Sequence, residues 1–380
     1  VVLTAHPGCT AAVMHGADRP VELQHFPAPE LAPGEVLLET LFSEVCGTDV
    51  HLSHGRLAGV PYPIIPGHVS VGRVLAVRGE PRDVDGRPVR VGSIVTFLDV
   101  VGTCNACWFC LVAKTPNRCP SRRVYGVTCS AKEGLYGGWS QLITLKAGVA
   151  ILEVPPTLAP ERVIAGGCAL PTAIHAVDTA RIQLGDRVLV QGAGPVGLSA
   201  ATLALLSGAG AVYVVERHEV RLAMAREFGV DEAIRLDETG SRGHVERVLS
   251  LTEGRGVDVT IEATGVPAAV KDGIRMTRDG GRYVVVGHYT DHGEVGINPH
   301  TEINRKHLEV RGVWGVDFSH FHRMLRILDR YGARVAGGRG WEHMVSRTYG
   351  LEEVNQALSD VETGRIVKGL IRPNPVRPSP

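Results

Sequence analysis

From Val188 to Val215 no residue carries a charge, and a run of that length could span a bilayer as one apolar helix. Gly192, Gly194, Pro195, Gly197, Gly208 and Gly210 interrupt it, however, and divide it into strand, turn, helix and strand. A buried α/β unit accounts for those breaks, whereas a membrane span does not. The same alternation continues outward from the run. Strands are expected at Arg187 to Gln191, Ala211 to Glu216, Val257 to Glu262 and Gly281 to Gly287. Helices are expected at Pro195 to Ser207, Val220 to Phe228 and Ala268 to Met276. Strands alternating with helices imply a parallel sheet covered on both faces, a doubly wound α/β domain.

The flanking sequence has a different character. Before Pro155 to Pro160 the chain is β-rich and irregular, with short apolar runs at Glu35 to Thr40, Val69 to Val77 and Ser93 to Phe97 set off by Gly and Pro. From about Val310 amphipathic helices follow, at Ser319 to Arg330 and Leu351 to Glu362. A last strand, Gly364 to Arg372, precedes a Pro-rich tail expected to be disordered. At 380 residues the chain exceeds what one core organises, so two domains are expected. Lys plus Arg equals Asp plus Glu at 40 each, and this balance argues against nucleic acid or an anionic membrane as partner. Val1 to Met14 lacks a cationic start followed by an apolar core, so no signal peptide and a cytoplasmic location are expected.

Gly192-Ala193-Gly194-Pro195-Val196-Gly197 closes an apolar strand and opens a helix. The first glycine permits the tight turn, the second lets backbone amides approach a pyrophosphate, and the third allows the helix to pack on the strand. The amides and dipole at the helix start favour phosphate charge. Glu216 stands at the end of the next strand, where a carboxylate accepts the adenosine ribose hydroxyls and repels a 2′-phosphate, favouring NAD over NADP. Arg217 and Arg221 lie close enough in sequence to oppose that preference.

Four of the eight cysteines, Cys104, Cys107, Cys110 and Cys119, crowd into one segment, a lobe spanning 100–122. Four thiolates satisfy tetrahedral zinc and leave no open position, so a structural zinc is expected there. The spacing lacks the usual ferredoxin run that would favour an iron–sulfur cluster.

Cys46-Gly47-Thr48-Asp49-Val50-His51, then Gly67-His68, then the four-cysteine lobe and the nucleotide motif, occur in an order that resembles the zinc-containing medium-chain dehydrogenases. The resemblance runs from about Gly34 to Arg372. It implies a β-rich GroES-like catalytic domain (1–165 and 312–380) and a Rossmann domain (166–311). It also implies a catalytic zinc held by Cys46, His68 and Cys168, with one position open to the substrate oxygen. By the same resemblance Thr48 and His51 relay the alcohol proton and Asp49 orients His68, a role compatible with capping a helix after Gly47. Lys368 is expected at the cofactor pyrophosphate. The implied reaction is reversible hydride transfer between an alcohol and NAD. The implied assembly is a homodimer or homotetramer through the nucleotide domain, using the strand near Leu308 to Val313.

The sequence departs from the pattern at three places. Val69 stands where the family commonly carries a Glu able to approach the metal, Gly47 stands where animal members carry a basic residue, and the Cys110 to Cys119 gap is one residue longer. The loop from Cys110 to Lys114 and the segment from Gly287 to Gly315 resemble those of dehydrogenases acting on cyclitols or other polar secondary alcohols. His54, Glu44 and Trp139 are candidates to line a polar pocket. Two other classes share the fold: carbonyl, quinone or enoyl reductases, and binding or structural proteins. The three zinc ligands argue against the first, and the relay pair has no use in the second.

Overall fold

The computed structural model describes residues 8–236 and 243–375. The first seven residues of the segment Val1 to Met14, over which no signal peptide is expected, and the last five of the Pro-rich tail lie outside that range. Within the tail, Asn374 Nδ2 donates to the carbonyls of Thr40 and Gln141 at 2.9 and 3.0 Å, so the tail is docked at that residue. The chain divides into two compact units. One comprises Val1–Gly167, Asp317–Asp329 and Val345–Pro380, and the other Cys168–Val316 and Arg330–Met344.

The first unit is organised by the strand Val36–Val45. Its side chains alternate between two cores, Val36 and Leu38 entering one and Leu37 the other, as the two-residue period of a strand requires. Beside it lie Ser70–Val77, then Ile94–Phe97 and Ile151–Glu153 on one side, and Lys368–Ile371 then Val345–Tyr349 on the other; Leu142–Leu145 pairs off the same central strand. The expected helix over Leu351 to Glu362 begins as a 3-10 turn, Leu351–Glu353, and becomes α-helical only over Val354–Glu362. The final strand is shorter than expected, Lys368–Ile371.

The second unit contains a six-stranded sheet in the order Glu232–Arg235, Ala211–Glu216, Arg187–Gln191, Val257–Glu262, Thr277–Val285, Glu309–Gly312, with every pairing parallel. This is a doubly wound Rossmann sheet, and its strand order reverses between Arg187–Gln191 and Val257–Glu262. The uncharged run resolves into the strand Arg187–Gln191, the helix Pro195–Leu206 and the strand Ala211–Glu216. Among the described residues, no single helix is long and apolar enough to cross a membrane. The strand expected from Gly281 begins earlier, at Thr277, across an irregularity in its pairing with Val257–Glu262. The segment Arg330–Met344 packs here, where Arg339 and His343 both contact Glu227 and the His343 ring stacks on Phe228.

Candidate metal and cofactor sites

Strand register assembles the first site. Ser43 pairs with Ser70, and the Glu44 amide donates to the Val69 carbonyl at 3.2 Å, so the end of Val36–Val45 lies beside Gly67-His68-Val69. Directly after that strand, Cys46 caps the helix Gly47–Ser53. Asp49 Oδ2 accepts the Cys46 amide at 2.9 Å, closing the first turn and holding the thiol at the helix start. Cys168 begins the helix Ala169–Ala180 immediately after Gly167. The ligand atoms of Glu44, Cys46, His68 and Cys168 all lie within 4.8 Å of one another.

The donor set suits a metal. Two thiols and an imidazole are soft and borderline ligands of the kind zinc takes, and three of them leave a fourth position. His68 Nδ1 and Asp49 Oδ1 are buried without a hydrogen-bond partner. Burial opposes charge on His68, but Cys46, Glu44 and Asp49 together outweigh it and push its pKa up to about 9. Such a concentration of negative donors around one imidazole is the field a cation would find. Burial also raises the Asp49 carboxyl above its ordinary range, with His68 pulling the other way.

Thr48 and His51 sit three residues apart on the Gly47–Ser53 helix, a spacing that places them on one face, and both are half-buried. Lys368 is 2% exposed, with Nζ 2.8 Å from Glu44 Oε2. Trp139 is buried and donates Nε1 to the Glu44 carbonyl at 2.9 Å. His54 is tied elsewhere, to Asp18 at 2.9 Å and Glu362 at 2.7 Å. Glu44 was legible only as a polar-pocket candidate. The available signal was an acidic residue one position from the end of a strand, two positions before Cys46.

The four-cysteine lobe forms a second cluster, with its sulfurs also within 4.8 Å of one another. Cys107 and Cys110 sulfurs are 3.6 Å apart and those of Cys119 and Cys104 are 3.5 Å apart, yet all four thiols are free. Tetrahedral zinc–sulfur bonds of ~2.3 Å imply sulfur separations of about 3.8 Å, so the knot is close to metal dimensions. Backbone amides of Ala106 and Cys107 help lower the Cys104 thiol to about 6.

The nucleotide motif is built as its glycines require. Gly192 has φ +92°, and a Cβ on Gly197 would lie 1.9 Å from the Gly192 carbonyl oxygen. Gly194 caps the helix Pro195–Leu206, and Gly194, Pro195 and Val196 are half-buried at its open end. Glu216 is held by its own loop: Oε2 accepts the Ala193 amide at 2.8 Å, and Oε1 accepts the Arg217 and His218 amides at 2.7 and 3.0 Å. Arg221 Nη1 lies 4.0 Å from Glu216, while its Nε is buried without a hydrogen-bond partner. Arg217 is turned to His218 at 2.9 Å. Sequence reading missed Glu262, at the reversal of the sheet. It is fully buried and accepts from Thr264, Gly265 and Gly287, bracing the loops at the carboxyl ends of two strands.

Residues 32–156 match the alcohol dehydrogenase GroES-like domain and residues 195–330 match the zinc-binding dehydrogenase domain. The chain is 31% identical to 5-exo-hydroxycamphor dehydrogenase of Pseudomonas putida, over 95% of this chain and 98% of that protein. It is 29% identical to D-arabinitol dehydrogenase 1 of Uromyces fabae, over 97% and 98%. An alcohol dehydrogenase structure from Thermotoga maritima superposes with a TM-score of 0.90 at 31% identity, covering 97% of this chain and all of that one. The chain therefore belongs to the zinc-containing medium-chain alcohol dehydrogenase family, a family of oxidoreductases.

Proposed function

We propose that this protein interconverts a secondary alcohol and its ketone, passing hydride between the carbinol carbon and NAD. The observation that carries the reading is the convergence of Cys46, His68 and Cys168, with the proton-relay residues Thr48 and His51 on the adjoining helix. In this reading Cys46, His68 and Cys168 hold zinc, which supplies a Lewis acid toward the substrate oxygen. Cys104, Cys107, Cys110 and Cys119 hold a second, structural zinc. Thr48 would take up the hydroxyl proton and His51, on the same face of the Gly47–Ser53 helix, would exchange it with solvent. Asp49 positions His68. The hydride leaves with the C–H electron pair, so the alcohol is oxidised and the nicotinamide reduced.

The cofactor reading rests on Gly192, Gly194, Pro195, Val196 and Gly197, whose amides at a helix start favour a pyrophosphate, and on Glu216 as acceptor for the ribose hydroxyls. A secondary, ring or polyol alcohol as substrate is supported by relatives named for hydroxycamphor and arabinitol. A domain arrangement with a GroES-like catalytic part and a Rossmann part, and a homodimer or homotetramer, belong to the same proposal.

Metal analysis and kinetics test it together. Wild-type protein is expected to hold about two zincs per chain, and Cys46→Ser about one. The variant should lose turnover while binding NADH normally. Wild-type activity in Cys46→Ser would overturn the assignment. An NAD-coupled screen across primary alcohols, secondary alcohols, polyols and cyclitols identifies the substrate class.

A further inference from the structure

Glu44 has the geometry of a ligand that Val69 cannot provide. It is fully buried, its carboxylate stands within 4.8 Å of the Cys46, His68 and Cys168 donor atoms, and Oε1 is 3.5 Å from His68 Nε2. Its other oxygen, Oε2, accepts from the buried Lys368 ammonium at 2.8 Å. The backbone is shaped around this pair. Gly167 has φ +47°, and a Cβ there would fall 2.0 Å from Glu44 Oε2 and 2.5 Å from Lys368 Nζ. Only glycine leaves room for the carboxylate directly before Cys168. Val69, by contrast, is an apolar buried side chain whose carbonyl serves Glu44 and Ser43.

The charge balance is compatible with ligation. A divalent zinc with two thiolates and a neutral imidazole is electrically neutral, and Glu44 with Lys368 is a neutral buried pair, so a bond from Oε1 to the metal adds no net charge to the interior. We propose that Glu44 is the fourth protein ligand of the catalytic zinc in the substrate-free enzyme, through Oε1, while Lys368 retains Oε2. Substrate then displaces only Oε1. The carboxylate never loses its ionic partner, so the exchange does not strand a bare charge in the interior. The ligand comes from the strand preceding Cys46, not from the residue following His68. This inference rests on the zinc reading above.

The test uses holoenzyme in which the zinc at Cys46, His68 and Cys168 is exchanged for cobalt(II), with zinc kept in the four-cysteine lobe. The readouts are the cobalt visible spectrum and titration with azide, a small anionic ligand. Glu44→Gln is expected to change the spectrum and to bind azide at least about tenfold more tightly than wild type, a shift of about 1.4 kcal/mol. Glu44→Asp keeps a charge opposite Lys368 but withdraws it by one methylene. It should show the same tightening, and it serves if Glu44→Gln does not fold. Two metals per chain with unchanged spectrum and azide affinity in the folded variants would overturn the role of Glu44 alone. A wild type that takes no metal at Cys46, His68 and Cys168 would overturn the zinc reading itself.

Discussion

Gly167 and Glu216 are single residues on which separate properties depend. Alanine at Gly167 would combine a left-handed backbone with a Cβ inside contact distance of Glu44 and Lys368. Gly167→Ala is expected to cost ~1–3 kcal/mol in denaturant unfolding and to lower zinc content toward one per chain. Unchanged stability and zinc content would show that the pair relaxes freely. On the proposed role of Glu216 as acceptor for the ribose hydroxyls, Glu216→Ala is expected to raise kcat/KM with NADP relative to NAD. Unchanged selectivity would place control with Arg221, whose guanidinium stands 4.0 Å from Glu216, or with Arg217, the next residue along the chain. At this scale the grouping of Cys46, His68 and Cys168 was legible because each sits in a recognisable local motif. The partnership of Glu44 with Lys368 was not, because it joins positions separated by 324 residues and depends on strand register. Lys368 was read as a pyrophosphate contact, and no local pattern signals that its ammonium is buried against a carboxylate.

Among elements, those with strong internal signals kept their expected limits. The strands Arg187–Gln191, Ala211–Glu216 and Val257–Glu262 coincide with their sequence expectation: the first two have apolar interiors and the third alternates β-branched with polar residues. Elements whose ends depend on partners shifted. Thr277–Val285 starts early because its pairing with Val257 begins before the bulge, and Lys368–Ile371 is short because its neighbours Val36–Val45 and Val345–Tyr349 pair only those residues. The cysteine lobe is an element without a core of its own: Trp108, Leu111 and Val112 are exposed there. Its order is therefore expected to come from metal. Cys107→Ser should lose one zinc and become susceptible to limited proteolysis between Thr103 and Arg122, followed by mass spectrometry. A protease-resistant lobe with one zinc fewer would show that chain contacts suffice.

For the molecule, the class of fold was legible from alternation of strands and helices, but the assignment of Arg330–Met344 was not. That segment packs with the nucleotide-motif unit through Glu227 and Phe228, contacts remote in sequence. The strand Glu309–Gly312 lies at the edge of the six-stranded sheet, and Val310 is 46% exposed. An unpaired edge invites a second strand. Val310→Lys is expected to reduce the mass measured by light scattering toward that of one chain, and an unchanged mass would place the subunit contact elsewhere.

The Glu44–Lys368 contact also sets an order of events during synthesis. The strand bearing Glu44 leaves the ribosome 324 residues before its counter-ion. Until residue 368 is available, folding of the first unit would enclose an unmatched carboxylate at its centre. A chain ending before Lys368 would meet the desolvation cost of Glu44 alone, so closure of this pocket is expected to wait for residue 368.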